Sequence, residues 1–122
     1  MIGIRVREAP QAIGGGESFK AGDLSGIAWL PDSPLYPIAR RIESMPDDER
    51  ESLLLAIKQS KEMSSEGLRY LVSSYGVPIA WATHDGNLYR TRLRHSDATS
   101  KHIELAVAGL QVLLDRDRAA GQ

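Results

Sequence analysis

The chain has 122 residues, a common length for one domain, and its 42% apolar and 25% charged residues are typical of a globular protein. The 15 Lys and Arg residues against 16 Asp and Glu residues give a formal net charge of −1, which excludes a strongly basic nucleic-acid module as the identity of the whole chain. The sequence contains no cysteine and no run of about 18 apolar residues, so it offers no disulfide, no thiolate nucleophile and no membrane span. We expect a single domain, residues 1–122, located in the cytoplasm.

The N-terminal part, residues 1–30, predicts strands joined by loops. Residues 2–7 alternate apolar and polar side chains, which is the period-two pattern of a half-buried strand. The stretch Ala9–Gly16 ends in three glycines, but no helical signal follows them, so it predicts a flexible loop rather than a phosphate-binding turn. Strands are expected again between Ser18 and Leu30.

Residues 33–63 predict two central helices. Ser33 can cap the first helix, and Pro34 suits its first position. The second helix starts in residues 44–49, where three consecutive acids complement the positive end of the helix dipole, a commoner role for such a cluster than metal binding. The residues expected on its inner face are Leu53, Leu54, Ile57 and Met63.

Residues 68–118 predict a β-meander followed by one long helix. The expected strands are Leu68–Ser74, Val77–Thr83 and Leu88–Arg94, joined by Tyr75-Gly76 and by a turn that contains the Asp-Gly pair typical of tight hairpins. Pro78 has no N–H to donate, so its end of the middle strand is predicted to be an edge or a bulge. Alternation places Val77, Ile79 and Trp81 on one face of that strand.

The last predicted helix covers about Lys101–Arg118, with Thr99 or Ser100 as its cap. Its apolar residues extend past half of the circumference, so the helix needs burial on two sides. The sheet supplies one side, and a second subunit is our interpretation of the other. The expected fold is therefore α+β, an antiparallel meander with two central helices and one long C-terminal helix, and the expected state is a homo-oligomer formed through residues 101–118.

The strongest candidate for a binding site is a row of arginines, Arg90, Arg92 and Arg94, at every second position of one predicted strand, roughly 6.6 Å apart. Residues 87–102 hold four Arg or Lys residues and a single Asp, and they lead into a helix N-terminus that attracts anions. Two interpretations stay open. The arginines bind nucleic acid, a phosphorylated ligand or an acidic protein, or they cover a solvated face and pair with the acidic helix start at residues 47–51.

Motifs of catalysis are missing. The chain has three histidines but no G-x-S-x-G elbow and no H-E-x-x-H helix, so we expect no catalytic residue, no metal and no cofactor. A spatial Ser-His-Asp triad would escape this search. Among the aromatic residues, Trp81 is predicted to lie in the core and Tyr75, at a turn, to be exposed.

Two segments resemble small uncharacterised proteins of actinobacterial, mycobacteriophage-like phages and prophages. Residues 71–81, LVSSYGVPIAW, are similar to the group's V-Y-S-Y-G-T-P-I-A-W, and residues 95–102, HSDATSKH, are similar to its Y-S-x-T-T-S-[RK]-H at the start of the last helix. Residues 18–26 are similar, more weakly, to its F-x-[AG]-x-x-L-x-G. The departures are Val77 in place of Thr, Ala98 in place of the first Thr of the Thr-Thr pair, and His95 in place of the tyrosine. The central helices, residues 33–63, match nothing in the group, which implies a helical insertion.

The resemblance implies a phage-encoded accessory protein in the cytoplasm of a host bacterium, and we expect a non-enzymatic protein that binds a host or phage partner. The candidate contact residues are Tyr75, Arg90, Arg92, Arg94, His95, Thr99, Ser100, Lys101 and His102. A structural interpretation of the shared residues stays equally open, in which the tyrosine forms a turn, the hydroxyls cap a helix and the last histidine bonds back to the sheet.

Overall fold

The computed structural model describes residues 1–33, 42–92 and 96–121. The fold is α+β, with a six-stranded, mostly antiparallel sheet and, in these ranges, three α-helices. The last helix is by far the longest. None of the helices in the described ranges is long and apolar enough to cross a membrane.

The strands lie in the sheet in the order in which they occur in the chain. The first two pair in parallel, and every other pair is antiparallel. The strands are β1 (Ile2–Gly3), β2 (Phe19–Ala21), β3 (Leu24–Ala28), β4 (Leu68–Ser74), β5 (Val77–Thr83) and β6 (Leu88–Arg90). The helices are α1 (Ala9–Gly14), α2 (Asp47–Lys61) and α3 (Asp97–Ala120), with 3-10 turns at Val6–Glu8 and Ile42–Ser44.

Helices cover both faces of the sheet. On one face, α1 and α3 pack over Phe19, Tyr70, Val72 and their neighbours, and on the other face α2 packs over Leu71 and Trp81. This arrangement buries almost every residue of β4 and β5, because side chains on both faces meet a helix.

The N-terminal prediction was wrong in two places. The alternation in residues 2–7 yields only the short β1, and Ala9–Gly16 is not a flexible loop, because Ala9–Gly14 forms α1. Pro10 occupies the first turn of this helix, where its missing N–H is tolerated, and Ile13 is fully buried against α3. Tertiary packing therefore stabilises a helix that is too short to form alone.

The helix α3 departs from its prediction at both ends and in its packing. It begins at Asp97, and Ser96 caps it by accepting the N–H of Thr99 at 3.4 Å, so neither Thr99 nor Ser100 is the cap. Its second side is covered by α1: a Cβ on Gly109 would lie 2.7 Å from Cβ of Ile13. The burial for which we expected a second subunit is thus supplied by the same chain.

The strands β4 and β5 have the predicted bounds, and a bulge lies beside Pro78 as expected. Val72 pairs with Ala80 and Ser73 pairs with Pro78, which leaves Ile79 as the extra residue of β5. Ile79 consequently packs in the cluster under α3, while Trp81 packs under α2. The prediction that these two residues share a face was wrong, because simple alternation does not continue through a bulge.

The central segment is described in part. The helix α2 agrees with the second predicted helix, although Leu54 is exposed instead of facing inward. Met63 is exposed as well, because the helix ends at Lys61, before this residue. The predicted first helix lies mainly in residues 34–41, outside the described residues.

Candidate functional site

The predicted row of arginines is not present as such in the described residues. The strand β6 ends at Arg90, so Arg92 follows the strand instead of lying on it, and Arg94 and His95 lie outside the described residues. Arg90 is exposed and makes no ion pair with a described residue.

Arg92 pairs with the acidic start of α2. Its backbone N–H donates to Oε2 of Glu49 at 3.1 Å, its Nε lies 3.6 Å from the same oxygen, and its guanidinium also contacts the carboxylate of Asp48. Arg92 and Asp48 are both largely exposed, so solvent screens their attraction. For Arg92 the structure agrees with the second interpretation, pairing with the acidic helix.

The two segments that carry the family resemblance meet in space at one end of the sheet. The ring of Tyr75, in the turn between β4 and β5, stacks on the ring of His102 in α3, with 6.2 Å between centroids and 30° between planes. His102 also shares a hydrogen bond of 2.7 Å between its Nδ1 and Oγ of Ser74. His102 therefore joins the β4–β5 turn, the end of β4 and the start of α3.

The turn that presents Tyr75 has an unusual backbone. Tyr75 and Gly76 have φ values of 52° and 77°, which is the conformation of a two-residue type I′ hairpin turn. Glycine, asparagine and aspartate adopt such a φ easily, whereas a tyrosine adopts it at a cost of about 1 kcal/mol. The N–H of Tyr75 donates to the carbonyl of Asp23 at 2.8 Å, and the side chain is 48% exposed, as the sequence predicted.

The surroundings of His102 favour its neutral form. Burial lowers the pKa of this imidazole below its ordinary value of 6.5, and the negative charge of Asp23 opposes part of that effect. Ser74 and His102 resemble the first two members of a catalytic triad, but Ser74 is only 2% exposed. A substrate has no access to that hydroxyl, so the hydrogen bond fastens α3 to the sheet.

The remaining candidates at the start of α3 divide between structure and surface. Thr99 is buried, and its hydroxyl lies 3.3 Å from the hydroxyl of Ser96, so it belongs to the cap. Ser100 and Lys101 are exposed and precede His102 in the chain.

No pattern in the sequence predicted two further groups of polar side chains. His84, after β5, lies near Arg69 and Asp117, whose side chains form an ion pair of 3.0 Å, and burial together with Arg69 lowers the pKa of this histidine. In the part of the chain that the structure describes, no three His, Asp or Glu side chains are grouped as a metal ion would require. The second group, Glu49 and Trp81, lies in a cleft beside α2. The sequence signals only a helix start and a core tryptophan at these positions.

Comparisons with protein-family models, with curated proteins and with solved structures found no match.

Proposed function

We propose that this chain is a non-enzymatic protein that binds a partner protein through the end of the sheet where Tyr75 lies on His102. The observation that carries the proposal is an exposed aromatic ring kept at a backbone position that disfavours it. Backbone strain of this kind concentrates at binding and catalytic sites, where the surrounding structure maintains it.

The physical properties of this ring suit a protein contact. A tyrosine supplies a large apolar area with a polar tip, and it is among the residues that contribute most to binding free energy at interfaces. The stack on His102 and the hydrogen bond from the Tyr75 N–H to the Asp23 carbonyl restrain the turn before binding. Little conformational entropy is then lost when a partner covers the ring.

The resemblance to phage and prophage proteins supplies the context of the proposal. The partner is a host or phage protein in the bacterial cytoplasm, and we include in the proposed surface Ser100 and Lys101, which are exposed and precede His102 in α3. The predicted meander with two central helices remains part of this proposal, since the first of those helices falls outside the described residues.

The test uses Tyr75→Asn, because asparagine adopts the turn more easily and removes the ring. Tagged wild-type protein and variant are expressed in the bacterial host, cross-linked, purified and compared by quantitative mass spectrometry. Met63→Asn is the matched control, since Met63 also has a positive φ, of 55°, and is 82% exposed elsewhere on the surface. We expect a partner to be enriched by the wild type and by the control, and to be lost with Tyr75→Asn while the variant stays folded. Equal enrichment by all three proteins refutes the proposal.

Binding of a nucleic acid or a phosphorylated ligand is the second candidate, supported by Lys101 and by the exposed Arg90, which forms no ion pair with a described residue. It has less support than protein binding, because Asp48 neutralises Arg92 and Asp97 already complements the dipole of α3. Such binding would weaken steeply with salt and with Arg90→Gln plus Lys101→Gln.

Self-association through residues 101–118 also remains a proposal. The self-contact would involve Val112, which is half exposed on α3, because α1 covers the adjoining side of that helix. Light scattering of the wild type and of Val112→Lys measures it directly: a dimer that dissociates in the variant supports the proposal, and a monomeric wild type contradicts it.

A further inference from the structure

A groove runs along the outer edge of β6, the last strand of the sheet. In the described part of the chain, no strand pairs with this edge. Two clefts of about 190 and 200 Å³ form the groove, and both are lined by Ser52 of α2 and Tyr89 of β6. One wall of the groove is therefore α2, and the other is an unpaired strand edge.

The backbone groups of this strand point alternately at β5 and at the free edge. The N–H of Thr91, just after β6, donates to the carbonyl of Ile79 in β5 at 2.8 Å, so the odd-numbered residues direct their backbone groups into the sheet. Leu88 and Arg90 consequently direct their N–H and carbonyl groups outward. An edge with such unpaired groups is a template for a further strand.

The two ends of this edge carry opposite charges. Asp85 and Glu66 line the groove near the start of β6. The charged residues that line its other end are Asp48, Glu49, Arg90 and Arg92. Arg92 pairs with both carboxylates at that end, whereas Arg90 is exposed and forms no ion pair with a described residue. The uncompensated charge is therefore acidic at one end of the edge and basic at the other.

We propose that β6 pairs with β6 of a second copy of this chain, antiparallel and around a two-fold axis at Tyr89. In this register Leu88 of each copy lies opposite Arg90 of the other, and their outward N–H and carbonyl groups bond to each other on both sides of the axis. The acidic end of each edge then lies beside the basic end of the other. An arginine on an edge strand commonly prevents pairing, but here it meets the opposite charge.

The side chains at the axis suit this arrangement. Tyr89 is 38% exposed, and its ring stacks on the ring of Trp81 with 5.6 Å between centroids and 16° between planes. Residues opposite each other in a non-hydrogen-bonded antiparallel pair have Cα atoms about 4.5 Å apart, so the Tyr89 rings of the two copies come into contact. Leu55, which lines the groove and is 56% exposed, is partly covered by the second copy.

The interface is short, because the structure closes the edge at Arg92. The outward N–H of that residue already donates to Oε2 of Glu49 at 3.1 Å. Only the part of the edge from the turn before β6 to Arg90 remains for pairing, so the interface belongs to the small, weak class. We expect a Kd of about 10–100 μM.

Sedimentation velocity of the full chain from about 10 μM to about 1 mM tests the proposal, and a monomer should convert to a dimer over this range. Arg90→Pro removes an outward N–H, costs no bond to β5 and places the proline ring in the free edge, so it should raise the Kd about tenfold or more. Gly3→Pro is the matched control. Ile2 and Ile4 donate their N–H groups to β2, so Gly3 faces outward on β1, at the opposite edge of the sheet, and this variant should dimerise like the wild type.

Charge variants give a second test if Arg90→Pro fails to fold. Arg90→Glu places two acidic groups together and should raise the Kd about tenfold, whereas Arg90→Lys should keep it within about threefold. Nitrogen-15 NMR locates the contact, since the amide signals of Leu88 and Arg90 should shift on dilution. Tyr75→Asn leaves this edge intact and should dimerise normally, so the partner-binding proposal and this one fail independently.

Three results overturn the proposal. The first is a wild type that stays monomeric at about 1 mM, which would leave the edge to a strand of a different protein. The second is an unchanged Kd in both Arg90→Pro and Arg90→Glu. The third is a dimer that persists in Arg90→Pro and dissociates in Val112→Lys, which would place the contact on α3.

Discussion

Substituting Gly109 with alanine tests the packing of α1 on α3. A Cβ at this position would lie 2.7 Å from Cβ of Ile13 and 3.0 Å from Cα of Pro10. Neither atom is the flexible end of a side chain, so the two helices have to separate to normal contact distance. Overpacking of this kind costs about 1–3 kcal/mol, and the higher helix propensity of alanine returns about 1 kcal/mol. Because neither clashing atom can move by itself, the overpacking cost lies in the upper half of this range, about 2–3 kcal/mol, and we expect Gly109→Ala to lower the free energy of unfolding by about 1–2 kcal/mol.

Urea denaturation followed by circular dichroism measures this change, and amide hydrogen exchange of Ile13 shows whether α1 detaches before the rest of the chain unfolds. Gly14→Ala is the informative comparison, because its Cβ would meet the side chain of Val112, at 2.8 Å, rather than the backbone. Val112 is half exposed and has room to turn away, so this substitution should destabilise the protein less. If Gly109→Ala proves as stable as the wild type, α1 does not pack against α3 as described.

Three further substitutions or conditions give expected outcomes. Folding lowers the pKa of His102, so the neutral imidazole contributes stability that is complete above the unfolded pKa of about 6.5 and is lost as the pH falls through the folded pKa. Urea denaturation measured between about pH 7.5 and pH 5 should show this loss of stability, and His102→Gln should reduce its dependence on pH. Arg92→Gln removes the side-chain partner of the carboxylates at the start of α2 and should lower the free energy of unfolding by about 1 kcal/mol. The control Arg50→Gln breaks an exposed ion pair within one helix turn and should lower it by only about 0.3 kcal/mol. Equal thermal midpoints for the two variants would contradict the role given to Arg92. Gly26→Ala places a Cβ against the ring of Phe19 in the core, far inside contact distance, so we expect a loss of about 3 kcal/mol in chemical denaturation. A variant as stable as the wild type would show that β3 lies elsewhere.

The sequence by itself determined the elements whose signals are local. The bounds of β4 and β5 follow from β-rich runs ended by turn residues, α2 follows from its acidic start and apolar spacing, and the bulge follows from the missing N–H of Pro78. The exposure of Tyr75 follows from its place in a turn. Each of these properties depends on residues a few positions apart, which is the range over which periodicity and turn chemistry act.

Only the tertiary structure decided the features that join distant residues. Ala9–Gly14 becomes helical because α3 buries it, and α3 needs no second subunit on that side because α1 covers it. The stack of Tyr75 on His102 and the groove between α2 and β6 likewise depend on how separate elements pack. Burial and pairing between such residues are set by the folded core as a whole, so no local pattern in the sequence reports them.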